Sequence, residues 1–329
     1  MVTSLTENKS RLYGKEVKEL IEFVKGKNQS DKSNIKILIC TPINIMGEIK
    51  MNLDEVGLYN YTEIDSKRWA KLQEMAYLKS KEFNPLVKYP IGVNMPNLRI
   101  FKSIHHKDRE LKYPMEDAEY ISKLQVGAVN TYEILTELRD DKGDNLSKRN
   151  GNYSELTGLY WLWKNIVNCD ADCKNKYYGL VQYRRVFNLL ESDLLRFVDN
   201  QIDVVLPYPL SYVPNIEEHH KRYLTDIEWN AVLQALECLE PKYVDEYKKI
   251  LMQEYFYNYN IIIAKGNVLN DYCSWLFPLL IKIEQIIDND GKKIPNRYIG
   301  YIGETLETLY FMHNKENLRV AVTESKLLS

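Results

Sequence analysis

Two adjacent arginines stand where an apolar strand runs out. In KYYGLVQYRRVF, Lys176 to Phe187, a run that reads as buried β-structure ends in Gln182, Tyr183, Arg184 and Arg185. A guanidinium carries a fixed positive charge and a planar fork of donors, so this pair could pin a carboxylate or a phosphate. If the strand continues, period-2 alternation puts Gln182 and Arg184 on one face and Tyr183 and Arg185 on the other. One arginine can then face a cleft, with Arg184 the first choice, while the other meets a structural carboxylate; two surface ion pairs are the bland alternative. Upstream, Asp140, Asp141, Asp144, Asn145 and Asn150 gather oxygen ligands of the kind Ca²⁺ or Mg²⁺ takes. No Glu closes an EF-hand loop there, and an ordinary polar turn explains the same residues. Asn152 with Glu155 three residues on matches a capping box. His219 and His220, flanked by Glu217 and Glu218, suggest a metal, but side chains of adjacent residues diverge. Cys169 and Cys173 lack a second ligand pair.

The elements that must position these groups follow from periodicity. A chain of 329 residues, 45% hydrophobic, is long enough for one large or two closely joined α/β units. IKILIC, Ile35 to Cys40, reads as the first strand of the sheet, ended by Thr41 and Pro42. A helix is expected over Glu63 to Lys79, and the stretch to about Tyr113, with His105 and His106, reads as irregular and without a role. From Ser154 apolar residues recur at helical spacing, and a strand to Tyr183 follows. IDVVLP gives a strand, then come helices over Asp226 to Leu239 and Pro241 to Gln253, and NYNIIIAKG gives another strand. A long helix containing Pro278, a shorter one in GETLETLYFMH and a last strand in LRVAVTE complete the pattern. Strands alternating with helices imply a mostly parallel, doubly wound sheet.

A net charge of −2, from 44 Lys and Arg against 46 Asp and Glu, excludes a nucleic-acid binder that works by neutralising phosphates over a broad face. Five cysteines, an odd number, with no signal peptide ahead of them, point to the cytosol. No apolar run approaches the roughly 18 residues of a membrane span. KEVKELIEFVKG has Val17, Leu20, Ile21 and Val24 at helical spacing, which suits a helix packed on the domain or one lying on a membrane surface.

In this order, LQVGAVNT, DDKGDNLSKRNGNYSELTGLYWLWKN, YYGLVQYRRVF, IDVVLP, YNYNIIIAKGNVLNDYCSWLFPLL and GYIGETLETLY resemble a bacterial family of capsule and O-antigen glycosyltransferases. That family, long catalogued as a domain of unknown function, includes galactofuranosyltransferase-type members. The resemblance covers roughly Ile35 to Met312, with a longer stretch over 42–123 than the pattern has and Gln182 where it has His. It implies a GT-A-like α/β fold: an N-terminal helical extension over 1–34, a nucleotide-sugar-binding half over 35–200, and a helical acceptor-binding and catalytic-base half over 201–329.

The activity implied is transfer of a hexose, galactofuranose among the candidates, from a UDP-sugar to a saccharide or lipid-linked saccharide in surface polysaccharide synthesis. The resemblance implies inversion without a metal or other cofactor, Mg²⁺ or Mn²⁺ at Asp140 to Asp144 being the exception, and a cytoplasmic enzyme with peripheral contact at the inner membrane face. Arginines occupy the place that carries the metal-binding D-x-D elsewhere, so Arg184, assisted by Arg185, is expected on the leaving diphosphate, with Glu155 or Asp144 beside it in the empty enzyme. Thr41, Asp144, Asn145, Asn150, Tyr153, Glu155 and Gln182 are implied donor contacts, with room for a ligand beside Gly158. Glu304 is the implied base, unless its charge only stabilises the first turn of a helix; Tyr208, Asn258 and Asn260 are the acceptor candidates, and Tyr208 or Tyr212 with the aromatics of EYFYNYN could stack on sugar faces, although 25 tyrosines make such a cluster expected by chance. The alternatives are a non-catalytic nucleotide-sugar or glycan binder and a metal-dependent hexosyltransferase.

Overall fold

The computed structural model describes residues 11–12, 15–41, 43–212, 214–289 and 297–328. The chain divides into two compact units, Met1–Met75 and Ala76–Ser329. In the first, Ile37–Ile39 pairs in parallel with Tyr61–Glu63, and the Ile43–Glu55 helix connects them. Ile39, Met46, Leu53 and Leu58 form its core, against which Leu20 and Val24 of the Leu20–Val24 helix pack. The strand expected to open the main sheet therefore belongs to a separate two-stranded one. Thr41 follows it in this unit and not in the one that carries the main sheet, and Pro42 lies outside the described residues.

The second unit is mixed α/β. Its sheet runs Val320–Thr323, Val204–Pro207, Ile262–Lys265, Lys176–Gln182, Asn97–Ile104, Ile121–Gln125. All six strands are parallel except Ile262–Lys265, which is antiparallel to both neighbours. Asn97–Ile104 lies in the stretch expected to be irregular. Its apolar pattern is interrupted by Arg99 and by Lys102, which is only 5% exposed and meets Asp117 in an ion pair. A charged residue buried with its partner breaks the pattern without breaking the strand.

Both faces of the sheet are covered, so its central strands are apolar on both sides. Leu180, Val204, Leu206, Ile262 and Ala264 face a thick layer that includes the Leu156–Leu162, Asp226–Leu239, Gly266–Asn289 and Tyr298–His313 helices. Val181, Val205, Ile263 and Ala321 face a thinner layer built around Leu86, Leu194 and Phe197. Among the described residues no helix is long and apolar enough to cross a membrane.

The Lys176–Gln182 strand does not continue through the arginines. Tyr183 and Arg184 form a two-residue turn, and Arg185–Phe187 returns antiparallel with Arg185 opposite Gln182. Directly paired residues point to the same side, so the expected alternation is overturned: Gln182 shares a face with Arg185, and Arg184 sits at the tip. Ser325–Leu327 pairs with the outer edge of this hairpin.

Gly179 lies in the middle of the sheet, between Ile263 and Ile100. A Cβ there would come 2.7 Å from the Ile262 carbonyl oxygen and 2.9 Å from Ile263 Cγ1. Gly179→Ala is expected to destabilise the protein by about 1–3 kcal/mol through overpacking; an unshifted denaturation midpoint would contradict this packing.

Candidate active site

The chain enters the antiparallel strand through a strained turn. Tyr259 and Asn260 adopt φ of +83° and +49° in succession. Asn tolerates the left-handed region; a bulky Tyr does so only where its surroundings hold it. Because Ile262 pairs with Leu180 near the end of the parallel strand, this turn is delivered to the sheet's carboxyl edge, where open α/β sheets bind ligands.

The turn organises two carboxylates. The Tyr259 backbone N–H donates to Glu304 Oε1 at 3.0 Å, and Asn260 Nδ2 donates to Glu155 Oε1 at 2.7 Å and to the Gly300 carbonyl at 3.1 Å. The Tyr259 carbonyl accepts from Gln182 Nε2 at 2.7 Å, which sets the Gln182 amide close enough to Glu155 to lower its carboxyl pKa. The Arg185 guanidinium lies 3.6 Å from the centroid of the Tyr259 ring.

Glu155 does not form the expected capping box. Asn152 lies inside the preceding Asn150–Tyr153 helix, where it donates to Glu284 and accepts from the Ile299 N–H. Ser154, at φ +52°, separates that helix from Leu156–Leu162 and leaves Glu155 free to turn toward Asn260. No ligand space opens beside Gly158, where a Cβ would meet Val126 Cγ1 at 2.9 Å; the helix packs directly on the sheet. Glu304 stands in the second turn of Tyr298–His313, beyond the first-turn position where a helix dipole alone would account for it.

Burial and mutual repulsion make these carboxyls unusually basic. Glu304 is pushed up to about 8, by burial first and then by the Glu155 charge, against the pull of the Tyr259 N–H, Arg297 and Arg185. Glu155 is raised by burial, offset by Asn260 and Gln182. One turn beyond Glu304, Glu307 is 1% exposed, its Oε2 has no hydrogen-bond partner among the described residues, and burial raises it well above the usual carboxylate range. Burial lowers the Arg185 pKa.

Arg184 is exposed, and its backbone carbonyl accepts from Leu328. The carboxylate near its guanidinium is Asp108, not the expected Glu155 or Asp144. Asp108 sits in the loop after Asn97–Ile104, accepts from the His105 N–H at 2.7 Å, and is pushed up to about 6 by burial. His105 and His106 lie there with ring centroids 4.1 Å apart and planes tilted by 35°, and His106 Nδ1 is buried without a hydrogen-bond partner among the described residues. The two histidines and Asp108 thus share the carboxyl edge with Arg184.

The remaining sequence candidates are held elsewhere. Asp140 accepts from the N–H groups of Gly127 and Ala128 and from Ser147 Oγ at 2.9, 3.0 and 2.5 Å, while Asp141 pairs with Arg139. Asp144 accepts from the Tyr160 hydroxyl at 3.0 Å, and Asn145 bridges the Gly143 carbonyl and the Ser147 N–H. The acidic cluster is thus a turn whose carboxylates point to different partners. Asn150 bonds Thr157 and the Ser154 carbonyl, and Tyr153 donates to Glu284. Tyr208 stacks on Tyr77 at 5.1 Å. Asn258 donates to the Tyr212 hydroxyl at 2.7 Å, and Asn260, 2% exposed, is a buried support rather than an accessible contact. His219 and His220 diverge: His219 stacks on Tyr212, while His220 is 2% exposed against Phe256 and Trp229 and held down at about 3 by burial. Among the described residues no three His, Cys, Asp or Glu side chains converge as metal ligands.

Sequence reasoning missed Tyr259 as the organiser, Glu307, and the loop of His105, His106 and Asp108. The doubled Asn around Tyr259 ahead of a β-branched run was the available signal, since Asn favours tight left-handed turns.

No curated protein matches this chain. A solved structure titled "WbbM bifunctional glycosytransferase apo structure" is similar to it, with a TM-score of 0.59 and 26% identity. The match covers 71% of this chain and 45% of that chain, so this chain spans less than half that protein's length. The family model described as "Domain of unknown function (DUF4422)" matches residues 99–315, which takes in the main sheet from within Asn97–Ile104 to Ile262–Lys265 but not Val320–Thr323 or Ser325–Leu327, together with Glu155, Arg184, Arg185, Tyr259 and Glu304, and the chain belongs to that family.

Proposed function

We propose that this chain is a glycosyltransferase of GT-A type that moves a hexose from a UDP-sugar to a saccharide acceptor in surface polysaccharide synthesis, with inversion and without a metal. The observation that carries the reading is the Glu155–Glu304 pair at the carboxyl edge, beside two arginines, in a chain similar to a protein named as a glycosyltransferase.

Glu304 is the base. Its carboxylate takes the proton of the acceptor hydroxyl as that oxygen attacks the anomeric carbon and the bond to the diphosphate breaks. A group titrating near 8 holds a proton more tightly than an ordinary glutamate and so accepts one more readily from a hydroxyl. The Tyr259 N–H fixes one of its oxygens and leaves the other for substrate. Glu155, fixed by Asn260, orients sugar hydroxyls and adds the repulsion that keeps Glu304 basic.

Arg184 takes the leaving diphosphate. Its guanidinium, exposed at the hairpin tip, has no hydrogen bond or ion pair among the described residues, and Asp108 nearby balances its charge when no donor is bound. The planar fork matches phosphate oxygens as negative charge develops on them. Arg185, stacked on Tyr259, supplies positive potential from behind. Divergence of Asp140, Asp141 and Asp144 onto separate protein partners supports a reaction without a divalent ion.

Three outcomes are expected. Glu304→Gln lowers transfer by about 10²-fold or more while UDP affinity, by calorimetry, changes only a few fold; near-normal turnover would make Glu304 structural. Since the unprotonated base is the active form, kcat/KM rises about tenfold per pH unit and levels off above about 8, and a profile flat from pH 6 to 9 would exclude this base. In excess EDTA the wild type keeps its turnover, whereas Arg184→Ala loses about 10²-fold; activity lost in EDTA and restored by Mn²⁺ would return the role to Asp140–Asp144.

A further inference from the structure

Four aromatic side chains beside Glu304 form a ribbon whose inner members, Tyr212 and Tyr301, pack on the core and whose outer member, Tyr223, does not. Tyr212 and His219 stack face to face, centroids 3.5 Å apart and planes 13° apart. Tyr223 stacks on Tyr301 at 4.8 Å and 27°, and His219 and Tyr223 lie 5.8 Å apart. None of the four is buried, and Tyr223 is 48% exposed, so one of its faces rests on Tyr301 while it stays open to solvent.

This ribbon is tied to the proposed base by two routes. Tyr301 precedes Glu304 by three residues on the Tyr298–His313 helix, so both lie on one helix face. From the other side, Tyr212 Oη accepts from Asn258 Nδ2 at 2.7 Å, Asn258 Oδ1 accepts from the Tyr259 N–H at 2.7 Å, and the same N–H donates to Glu304 Oε1. His219, the histidine that raised a metal reading, here serves as a ring. Burial and the Arg222 charge lower its pKa, so the imidazole is neutral and suited to stacking at pH 7.

We infer that Tyr212, His219, Tyr223 and Tyr301 form the platform on which the acceptor sugar lies, and that the sugar is a pyranoside presenting a continuous C–H face to Tyr223. The inference rests on the glycosyltransferase reading of Glu304 and adds where the acceptor binds and by what chemistry. An aromatic face carries negative quadrupolar charge. The C–H bonds of a pyranose, polarised by neighbouring oxygens, present the complementary positive surface, while the sugar's hydroxyls stay at its rim and free to meet a carboxylate. Tyr208, stacked on Tyr77, is not part of this surface.

Saturation-transfer NMR tests this, with UDP and either methyl β-D-galactopyranoside or methyl β-D-glucopyranoside in one sample. The wild type is expected to show signals from UDP and from at least one pyranoside. Tyr223→Ala, with its fold checked by circular dichroism, should weaken pyranoside affinity by about tenfold or more and leave the UDP signals unchanged, while Tyr223→Trp retains both. Pyranoside binding that survives Tyr223→Ala overturns the platform. UDP binding without pyranoside binding in the wild type also removes the platform and leaves the transferase reading standing. Absence of both removes the two together.

Discussion

The left-handed turn at Tyr259 and Asn260 is the constraint on which the site depends. Two consecutive non-glycine residues at positive φ cost about 1–3 kcal/mol each. The expense is sustained because the turn is bracketed by chain that cannot move, with Tyr257 buried on one side and Ile261 to Ile263 fully buried at the sheet centre on the other. In return, adjacent peptide groups reach three different elements. One N–H goes to Glu304, one carbonyl to Gln182 and one amide side chain to Glu155. A turn of ordinary handedness would aim these groups elsewhere and leave two carboxylates buried without donors.

The same turn keeps opposite charges apart. Arg185 is close enough to Glu304 to be felt electrostatically, yet its guanidinium rests on the Tyr259 ring and forms no ion pair among the described residues. A direct bridge would neutralise both groups and consume the donors and acceptors a substrate needs. Stacking on an aromatic face retains the cation at lower desolvation cost than an apolar wall.

Much of the fold was legible because its strands and helices are strongly periodic. Asp226–Leu239, the long helix through Pro278 and the strands after Ile202 follow the sequence pattern closely. Asn97–Ile104 escaped because Lys102 is buried as an ion pair, which hydropathy reads as exposure. Ile37–Ile39 was read correctly as a strand but placed in the wrong sheet, since periodicity reports a strand and not its neighbours. Within the site, Glu155, Gln182, Arg185 and Glu304 were nominated from the sequence, and the structure brings them around one turn. Asp144, Asn145, Asn150 and Tyr153 were nominated with them but are engaged in local hydrogen bonds, because polar turn residues look alike whether they bind a ligand or the backbone. The split between Arg184 and Arg185 depended on a two-residue hairpin that no local signal announced.

The partner strand of that hairpin bears on how the protein folds. Ser325–Leu327 pairs with Arg185–Phe187, and Arg185 Nη1 donates to Ser325 Oγ across 140 residues of sequence. Contacts so distant along the chain carry a large loop-closure cost and form slowly. The arginine hairpin reaches its final edge pairing only when this remote segment docks, whereas Glu155 and Gln182 belong to elements that can pack earlier. During refolding, the arginine hairpin should therefore gain its outer partner after the bulk of the secondary structure, making that pairing a clock for the completion of the sheet.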